Sequence, residues 1–522
     1  MMRNLRGKLQ VRLLNPHGLF GLGLLLISTG YTVWLWREEK SFNYPAPVLV
    51  LALGTLFMLL QLGITSDLFV RANDRSTATV QVLNEAGTGI DRVIPGPTIS
   101  GLELLVERWH LFQTDTPQSW ILSEQFAILQ SVVQENYHGQ GKICILKYFS
   151  GAKAKGGAFL IQADDYIPRV LKFDSLTNIN RELQRYRECV APHLNFTPGE
   201  PLKPKQQIRK MEGQPWGAVT YTFIGGANSQ IRQLQTFSEY FRDHDAAKVI
   251  SVLDQLFSTL KPWWGMPVND KVTGYDTRNP DLYIEYKRIK EKYQQVASGL
   301  IKANQALEGK IAIDLSTNPT EIELAPGLSC INPLYWIQTR FKARRLVWAD
   351  EQRLRHDSMV HGDFHPGNLL ISEDANGAIK TWVIDFPHVH IGPSVQDIAR
   401  LEAEIKFSLI DDDDLKNLDL PGLYELETLF LPPSDRPFPT LRDLTPRELP
   451  ANWKVHTELD KVWQTVTVLR RTAKQYMNGN DARPYYLALL YATLPILYFR
   501  DRRPWQKLYA FASGAVLAER LG

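Results

Sequence analysis

Cysteine is scarce in this sequence. The chain of 522 residues has 3 Cys, at positions 144, 189 and 330, and they lie too far apart to match a metal-ligand spacing. A disulfide framework is therefore excluded, and the pattern fits a reduced compartment in which the thiols are buried.

The chain is longer than one ordinary hydrophobic core accommodates, so we expect about two to four domains.

The sequence also lacks an excess of either charge. Its 59 Lys and Arg against 56 Asp and Glu leave a formal net charge of +3. This balance gives no indication of nucleic-acid binding, which usually shows as a strongly basic face. With 44% hydrophobic and 22% charged residues, the composition is that of a globular protein.

Charged residues are absent from two N-terminal segments, 13–36 and 41–66. Each is long enough to cross about 30 Å of hydrocarbon at about 1.5 Å per residue. Trp34 and Trp36 end the first segment, where an aromatic belt would lie. We therefore predict a transmembrane hairpin over 1–66, with spans at about 17–36 and 46–65. A signal peptide and buried soluble helices are the alternatives.

Basic residues flank this predicted hairpin on both sides. Four precede the first span and two follow the second: Arg3, Arg6, Lys8, Arg12, Arg71 and Arg75. Under the positive-inside rule both ends lie in the cytoplasm. We therefore expect a membrane protein with two spans whose main part is cytoplasmic.

Beyond the hairpin, the pattern indicates a linker followed by a small lobe. Residues 67–140 indicate a juxtamembrane linker, in which the Gly- and Pro-rich stretch 87–101 predicts a loop. The lobe, over 141–226, is predicted α+β from its apolar periodicity. Its expected elements are strands at 143–149, 157–163, 168–173 and 217–224, and a helix at 178–190.

Residues 227–522 predict a larger, mostly helical lobe. Helices are expected at 237–264 and 282–307, followed by an irregular stretch at 308–332, and the C-terminal part is again helical. Residues 484–499 are apolar but contain Pro495, which favours a buried helix over a third span.

The motif VHGDFHPGNLLI, residues 360–371, is the most informative stretch of the chain. It allows three interpretations: a metal site, a phosphoryl-transfer loop, or only a turn. For a metal site, His361 and His365 have helical ligand spacing, with His388, His390 and Asp385 further on. Gly and Pro within the motif prevent a regular helix, which weakens this interpretation and the metal-dependent hydrolase that it implies.

Phosphoryl transfer needs a carboxylate near the attacking hydroxyl, Mg²⁺ on the phosphates and a cation beside them. Asp363 is a candidate base, and Asn368 follows it on the same loop. Asp385 ends the strand WVID, and a hairpin turning at Asn376-Gly377 would return it to the loop. Asn368 and Asp385 offer the hard oxygen ligands that Mg²⁺ prefers.

The small lobe offers parts that would complete such a site. Gly151, Gly156 and Gly157 lie between two predicted strands, where backbone N–H groups can approach phosphates. Lys172 lies in an apolar strand, where a lysine is costly unless paired. Glu182 in the next helix is the expected partner, and Glu188 is the less favoured one.

HGDFHPGN and VIDF, with Gly392 and Asp397 beyond them, resemble aminoglycoside phosphotransferases, choline kinases and related protein-kinase-like enzymes. The resemblance covers about residues 140–520 and matches weakly over about 262–345, which it implies to be an insertion in the larger lobe. RVLKFDSLTNINRELQRYRECVAPHL together with DIARLEAEIKF also resembles a kinase-like domain of bacterial conflict and signalling systems, the ternary complex associated type. The resemblance implies a two-lobed, protein-kinase-like α+β fold that binds ATP and Mg²⁺.

The resemblance also implies a role for each matching residue. Asp363 would be the catalytic base, and Asn368 and Asp385 would hold Mg²⁺. Lys172, oriented by Glu182, would contact the nucleotide phosphates. The interlobe hinge that binds adenine would be Thr220, Tyr221, Thr222 and Phe223. The implied structural residues are His361, beneath the catalytic loop, and Asp397, bracing that loop from a helix N-terminus.

The sequence therefore predicts a membrane-anchored phosphotransferase that moves the γ-phosphoryl group of ATP to an unknown hydroxyl acceptor. Asp385 and Asp397 lie too close together for a long activation segment, which favours a small molecule over a protein as acceptor. A pseudokinase, acting as a nucleotide-binding or scaffolding module of a membrane-associated bacterial signalling or defence system, is the alternative. The acidic run 411–414 could hold a cationic acceptor or form a solvated turn.

Overall fold

A computed structural model describes residues 79–83, 90–95, 98–100, 142–148, 157–163, 169–194, 210–211, 214–222, 235–265, 282–309, 318–350, 356–373, 377–454 and 456–522. The predicted transmembrane hairpin lies outside these ranges. Within them, no helix combines the length and the apolar character that a membrane crossing requires.

The chain divides into two compact units, one formed by residues 1–147 and 161–166 and the other by residues 148–160 and 167–522. In the first unit, β1 (Thr79–Leu83) pairs antiparallel with β2 (Ile90–Pro95). Strand β3 (Thr98–Ser100) pairs in parallel with β4 (Lys142–Tyr148). The loop predicted over 87–101 is therefore wrong for β2 and β3. β-branched Ile and Val favour extended backbone there, and Pro95 is tolerated because it ends its strand.

The second unit begins with strand-rich chain. Strand β5 (Gly157–Ala163), of which residues 157–160 belong to this unit, is followed by β6 (Arg169–Ser175), β7 (Lys210–Met211) and β8 (Gln214–Thr222). Strands β6 and β8 pair antiparallel along their length, with Lys172 opposite Val219. Strand β6 leads without a loop into α1 (Leu176–Arg185), where the Ser175 side chain caps the helix by accepting from the Asn178 N–H at 3.3 Å. A π-helical turn, Tyr186–Val190, extends α1, so the predicted strands and helix of this lobe are present.

Two long helices predicted in the second lobe are interrupted. The first is split into α2 (Phe237–Asp243) and α3 (Ala246–Trp264), because His244 is extended and Asp245 caps α3 at the Lys248 N–H, 2.9 Å away. The second is split into α4 (Leu282–Glu285), α5 (Arg288–Glu291) and α6 (Tyr293–Ala306). The spacing of apolar residues does not show side-chain caps or single-residue kinks, so it did not predict these interruptions.

The stretch 308–332, predicted to be irregular, contains a hairpin. Strand β10 (Glu321–Ala325) pairs antiparallel with β11 (Leu328–Ile331). Ile322 and Leu324 alternate inward and are buried, which is the strand period. Gly327 turns the chain with φ +80°. The prediction was wrong because Pro326-Gly327 suggested a loop, although the pair forms the turn between two strands.

A set of short strands holds the HGDFHPGN motif. Strand β12 (Asp357–Val360) pairs with β15 (His390–Pro393), and β13 (Leu369–Glu373) pairs with β14 (Ile379–Val383). The hairpin predicted between Asn368 and Asp385 is thus confirmed. Strand β9 (Gln235–Thr236) lies on the other side of β13.

Helices complete the C-terminal part, as predicted. They are α7 (Pro333–Trp336), α8 (Val395–Ser408), α9 (Asp412–Phe430), α10 (Ala451–Lys454), α11 (Thr457–Ala473), α12 (Arg483–Thr493) and α13 (Pro504–Leu521). The apolar stretch 484–499 is buried as α12 and a 3₁₀ turn. The acidic run 411–414 is the N-cap and first turn of α9, where carboxylates offset the helix dipole. The mixed α+β class is confirmed.

Candidate active site

One lysine joins two carboxylates that are distant in sequence. The Lys172 Nζ donates to Glu182 Oε2 at 2.6 Å and to Asp385 Oδ1 at 2.5 Å. Strand β6 carries Lys172 and α1 carries Glu182, so the Lys172–Glu182 pair predicted from spacing is confirmed. The less favoured partner, Glu188, instead accepts from Gln184 at 3.1 Å.

This ion-pair cluster is shielded but keeps one exposed edge. The side chain of Glu182 is 1% exposed, that of Lys172 is 16% exposed and that of Asp385 is 34% exposed. Burial alone would lower the pKa of Lys172, but Asp385 and Glu182 outweigh it and raise that pKa above its ordinary value. Burial raises the pKa of Glu182, which Lys172 and the Tyr221 hydroxyl partly offset. Lys172 is therefore a permanent cation near neutral pH.

The HGDFHPGN loop is anchored by Asp397 in the first turn of α8. Its carboxylate accepts the backbone N–H of His361 at 2.7 Å, that of Gly362 at 3.0 Å and the Trp264 indole N–H at 3.2 Å. Asp397 is buried, and this burial raises its pKa. The predicted bracing role of Asp397 is confirmed by these contacts.

His361 holds the loop from below, as the resemblance implied. Its Nε2–H donates to the Ile384 carbonyl oxygen at 3.0 Å, and its ring contacts Phe386 edge-on at 5.6 Å. Gly362 has φ +78°, and a Cβ there would lie 2.4 Å from the His388 carbonyl oxygen. A glycine is therefore required at this position.

Asp363 projects from this loop between Arg400 and His365. Its Oδ1 lies 3.6 Å from Arg400 Nη2, and its Oδ2 lies 3.8 Å from His365 Nε2. Burial raises the pKa of Asp363, but His365 and Arg400 outweigh it and hold that pKa below its ordinary value. Its side chain is 37% exposed, so this carboxylate is ionised and reachable.

Asn368 and Asp385 present oxygens beside Asp363. The Asn368 Nδ2 donates to the Asp363 carbonyl oxygen at 2.9 Å, and the Ile384 N–H donates to the Asn368 carbonyl oxygen at 3.0 Å. The first contact orients the amide and the second ties the end of β14 to the loop. Asp385 has φ +73°, a left-handed conformation that is uncommon for a non-glycine residue.

The remaining predicted site residues are only partly placed. Gly151, Gly156 and Phe223 lie outside the described residues, and Gly157 is the first residue of β5. Thr220, Tyr221 and Thr222 end β8, still paired with β6. The Tyr221 hydroxyl donates to Glu182 Oε1 at 2.5 Å, so its side chain supports the ion pair. Adenine binding at this segment stays a prediction.

The alternative of a histidine metal centre is wrong for these residues. His390 Nε2 lies 2.8 Å from Glu285 Oε1, and the Gly367 N–H donates to His365 Nδ1 at 3.1 Å. Throughout the described ranges, no group of three or more His, Cys, Asp or Glu could hold a metal ion. The metal-dependent hydrolase loses its structural basis with this site.

Sequence reasoning missed Arg400 and the Glu285–His390 pair. Arg400 follows Asp397 by three residues on α8, so both project from one helical face. Once Asp397 was assigned to the loop, that spacing could have identified Arg400. Glu285 lies in a short helix far from the motif in sequence, and no local signal points to it.

Three solved structures are similar to the chain in part. The amicoumacin kinase hAmiN in complex with AMP-PNP, Ca²⁺ and Ami has 12% identity and a TM-score of 0.28, over 68% of this chain and 78% of that one. Aminoglycoside phosphotransferase APH(4)-Ia with AMP-PNP and hygromycin B has 12% identity and a TM-score of 0.34, over 74% and 96%. An ethanolamine kinase from Plasmodium vivax has 12% identity and a TM-score of 0.31, over 80% and 97%.

Sequence comparison gives a more direct relationship. No curated protein sequence matches the chain. The family model for ternary complex associated domain 9 matches residues 289–497, which include the whole HGDFHPGN motif, Asp385 and Asp397. The resemblance to the ternary complex associated type of kinase-like domain is therefore confirmed over these residues.

Proposed function

We propose that the chain is an ATP- and Mg²⁺-dependent phosphotransferase acting on a hydroxyl group of a small molecule. The observation that carries this proposal is the position of Lys172 Nζ between Glu182 and Asp385, at 2.6 and 2.5 Å. Asp385 is 213 residues from Lys172, so the fold itself brings the three groups together. A fixed cation beside an exposed carboxylate suits a bound polyphosphate.

Asp363 is the base in this proposal. Its lowered pKa keeps the carboxylate ionised at neutral pH, so it can accept the proton of an acceptor hydroxyl. The hydroxyl oxygen would form a bond to the γ-phosphorus as the bond to the ADP oxygen breaks, and the proton would pass to Asp363. Arg400 and His365 hold the carboxylate in place from its two sides.

The residues present fit a magnesium ion. Asn368 uses its amide N–H on the Asp363 carbonyl, which leaves the amide oxygen for a ligand. One oxygen of Asp385 accepts from Lys172, and the other can bind a cation. Mg²⁺ is commonly held by one or two protein oxygens together with substrate phosphates. When bound, the ion would neutralise charge on the phosphates.

Anchoring at the membrane is a further part of the proposal. It is supported by the two uncharged N-terminal segments, 13–36 and 41–66, and by the basic residues that flank them.

The short interval from Asp385 to Asp397 contains β15 and leads directly into α8. This supports a small acceptor, because no long segment is available to bind a protein substrate.

The proposal is tested with the full chain in detergent. Mg²⁺-dependent ATP binding and ADP production are measured for the wild type, Asp363→Ala, Asp385→Asn and the control Asp413→Asn, an exposed carboxylate in the first turn of α9. We expect turnover in the wild type and control only, with Asp363→Ala still binding nucleotide.

Two outcomes would contradict this function. Absence of nucleotide binding by the wild type would exclude a kinase. Mg²⁺-dependent binding with no turnover, across neutral, cationic and anionic hydroxyl compounds, would instead identify a nucleotide-binding pseudokinase. Turnover that survives Asp363→Ala would remove the base from the mechanism.

A further inference from the structure

Arg400 lies beside Asp363, and both it and Arg288 act electrostatically on Tyr491 and Tyr498. We define the acceptor-side cluster as Arg288, Arg400, Tyr491 and Tyr498. Arg400 joins this cluster to Asp363, because its Nη2 lies 3.6 Å from Asp363 Oδ1. The same nitrogen lies 2.9 Å from Glu404 Oε1. Its guanidinium also lies over the Phe499 ring, 5.7 Å from the centroid.

Helices α4 and α5 bring Arg288 to the same place. Glu285 at the end of α4 contacts His390 at 2.8 Å, and the Tyr286 ring packs on Tyr491 at 4.8 Å. Arg288 begins α5 directly after these anchored residues and is exposed. Its charge reaches His388 and Tyr498, because it adds to the lowering of the His388 pKa by burial and opposes the raising of the Tyr498 pKa by burial.

The carboxylates beside this cluster are already engaged by cations. Glu404 Oε1 lies 2.9 Å from Arg400 Nη2, and Glu404 Oε2 accepts from Arg502 at 2.8 Å. Glu285 is engaged with His390. Among the described residues, neither Glu404 nor Glu285 therefore offers a cationic acceptor a carboxylate without a basic partner. Among the same residues, Arg288 makes no ion pair with a carboxylate.

We infer that the acceptor is an anion, a small hydroxyl compound bearing a phosphate or carboxylate group that Arg288 and Arg400 bind. This inference rests on the proposed phosphotransferase function. A guanidinium matches either anionic group with paired N–H donors. The cations would also offset the repulsion between an anionic acceptor and the phosphates of ATP.

Four sugars with similar ring hydroxyls test the inference: glucose, glucosamine, glucose 6-phosphate and glucuronate. Binding to the full chain is measured by calorimetry, with and without AMP-PNP and Mg²⁺. We expect the wild type to bind the two anions at least about tenfold more tightly than glucose, and glucosamine most weakly. A comparison of glucose 6-phosphate with glucuronate shows whether the site prefers a phosphate or a carboxylate group.

Arg288→Gln is expected to abolish this preference, and Arg288→Glu to turn it toward glucosamine. The matched control is Lys290→Gln, which removes one exposed positive charge from the same helix and should change binding less than about twofold. The KM for ATP should be the same in all three variants, because Arg288 lies on the acceptor side.

Equal binding of the four sugars, or no binding of any, would overturn the inference, as would tighter binding of glucosamine by the wild type. Failure of the proposed function has a different signature. AMP-PNP would then not bind, or ATP would bind without turnover, while a preference for anions that depends on Arg288 would persist in the absence of nucleotide.

Discussion

The second unit contains two ion-pair clusters, one with an exposed edge and one fully buried. In the first, Lys172 joins Glu182 and Asp385. In the second, Lys406 Nζ lies 2.6 Å from Glu427 Oε1, and the Arg470 guanidinium donates to both Glu402 oxygens at 2.5 and 2.9 Å. Both place cations and carboxylates out of water, which is costly unless the charges are paired.

The difference lies in access to solvent. The side chains of Lys406 and Glu427 are both 0% exposed, whereas Asp385 is 34% exposed. Burial lowers the pKa of Lys406 despite its carboxylate partners, while the pKa of Lys172 is raised by its own. A sealed cluster can only tie helices α8, α9 and α11 together. In a cluster with an exposed edge, a ligand can replace one of the ion-pair contacts.

Lys406→Met, in the fully buried cluster, should have the largest effect on the free energy of unfolding. Removal of the lysine leaves Glu427 buried without its cation, so we expect the free energy of unfolding to fall by about 3–5 kcal/mol. Urea denaturation measures it. The control Lys454→Met breaks an exposed pair with Glu448, whose side chain is 87% exposed, and should cost about 0–1 kcal/mol. Equal losses in the two variants would mean that burial does not set the cost.

Lys172→Met should act on the reaction more than on the fold. We expect ADP production to fall by about 10²–10³-fold, because a cation at the phosphates is lost. The free energy of unfolding should change less than in Lys406→Met, since the edge of this cluster admits water. A variant that keeps full turnover would break the comparison, because both clusters would then be structural.

Tyr221→Phe removes one hydrogen bond from the cluster of Lys172, Glu182 and Asp385. Its hydroxyl donates to buried Glu182 at 2.5 Å, so we expect a loss of about 1.5–3 kcal/mol in the free energy of unfolding. The matched control is Tyr240→Phe, whose buried hydroxyl has no partner among the described residues and should be nearly neutral. Similar losses in both variants would show that packing, and not the bond to Glu182, is measured.

The smallest expected effect is a pH dependence from His390. Burial lowers its pKa, but the bond to Glu285 outweighs this and raises it above the ordinary 6.5. Its contribution to stability is therefore full below pH about 6.5 and is lost as the pH rises through the raised value. Unfolding followed from pH 6 to 9 should show a decline that His390→Gln lacks. A parallel decline in both proteins would assign the effect elsewhere.

The parts of the site that are close in sequence could be predicted. Asp363 and Asn368 share one loop, Asp385 returns through a hairpin, and Lys172 precedes Glu182 across one strand–helix corner. What could not be predicted depends on distant packing or on caps. Arg400 reaches Asp363 only because α8 docks through Asp397, and Glu285 meets His390 over 105 residues of sequence. The breaks in the long helices depend on single capping residues such as Asp245.

The direct passage from β6 into α1 has a consequence for the order in which the site can form. Lys172 and Glu182 are ten residues apart and share one continuous strand and helix, so closing the loop between them costs little chain entropy. The bond from Lys172 to Asp385 closes 213 residues, so it forms only after the β13–β14 hairpin that leads to Asp385 has assembled. During folding, the lysine therefore meets its glutamate first and its aspartate last.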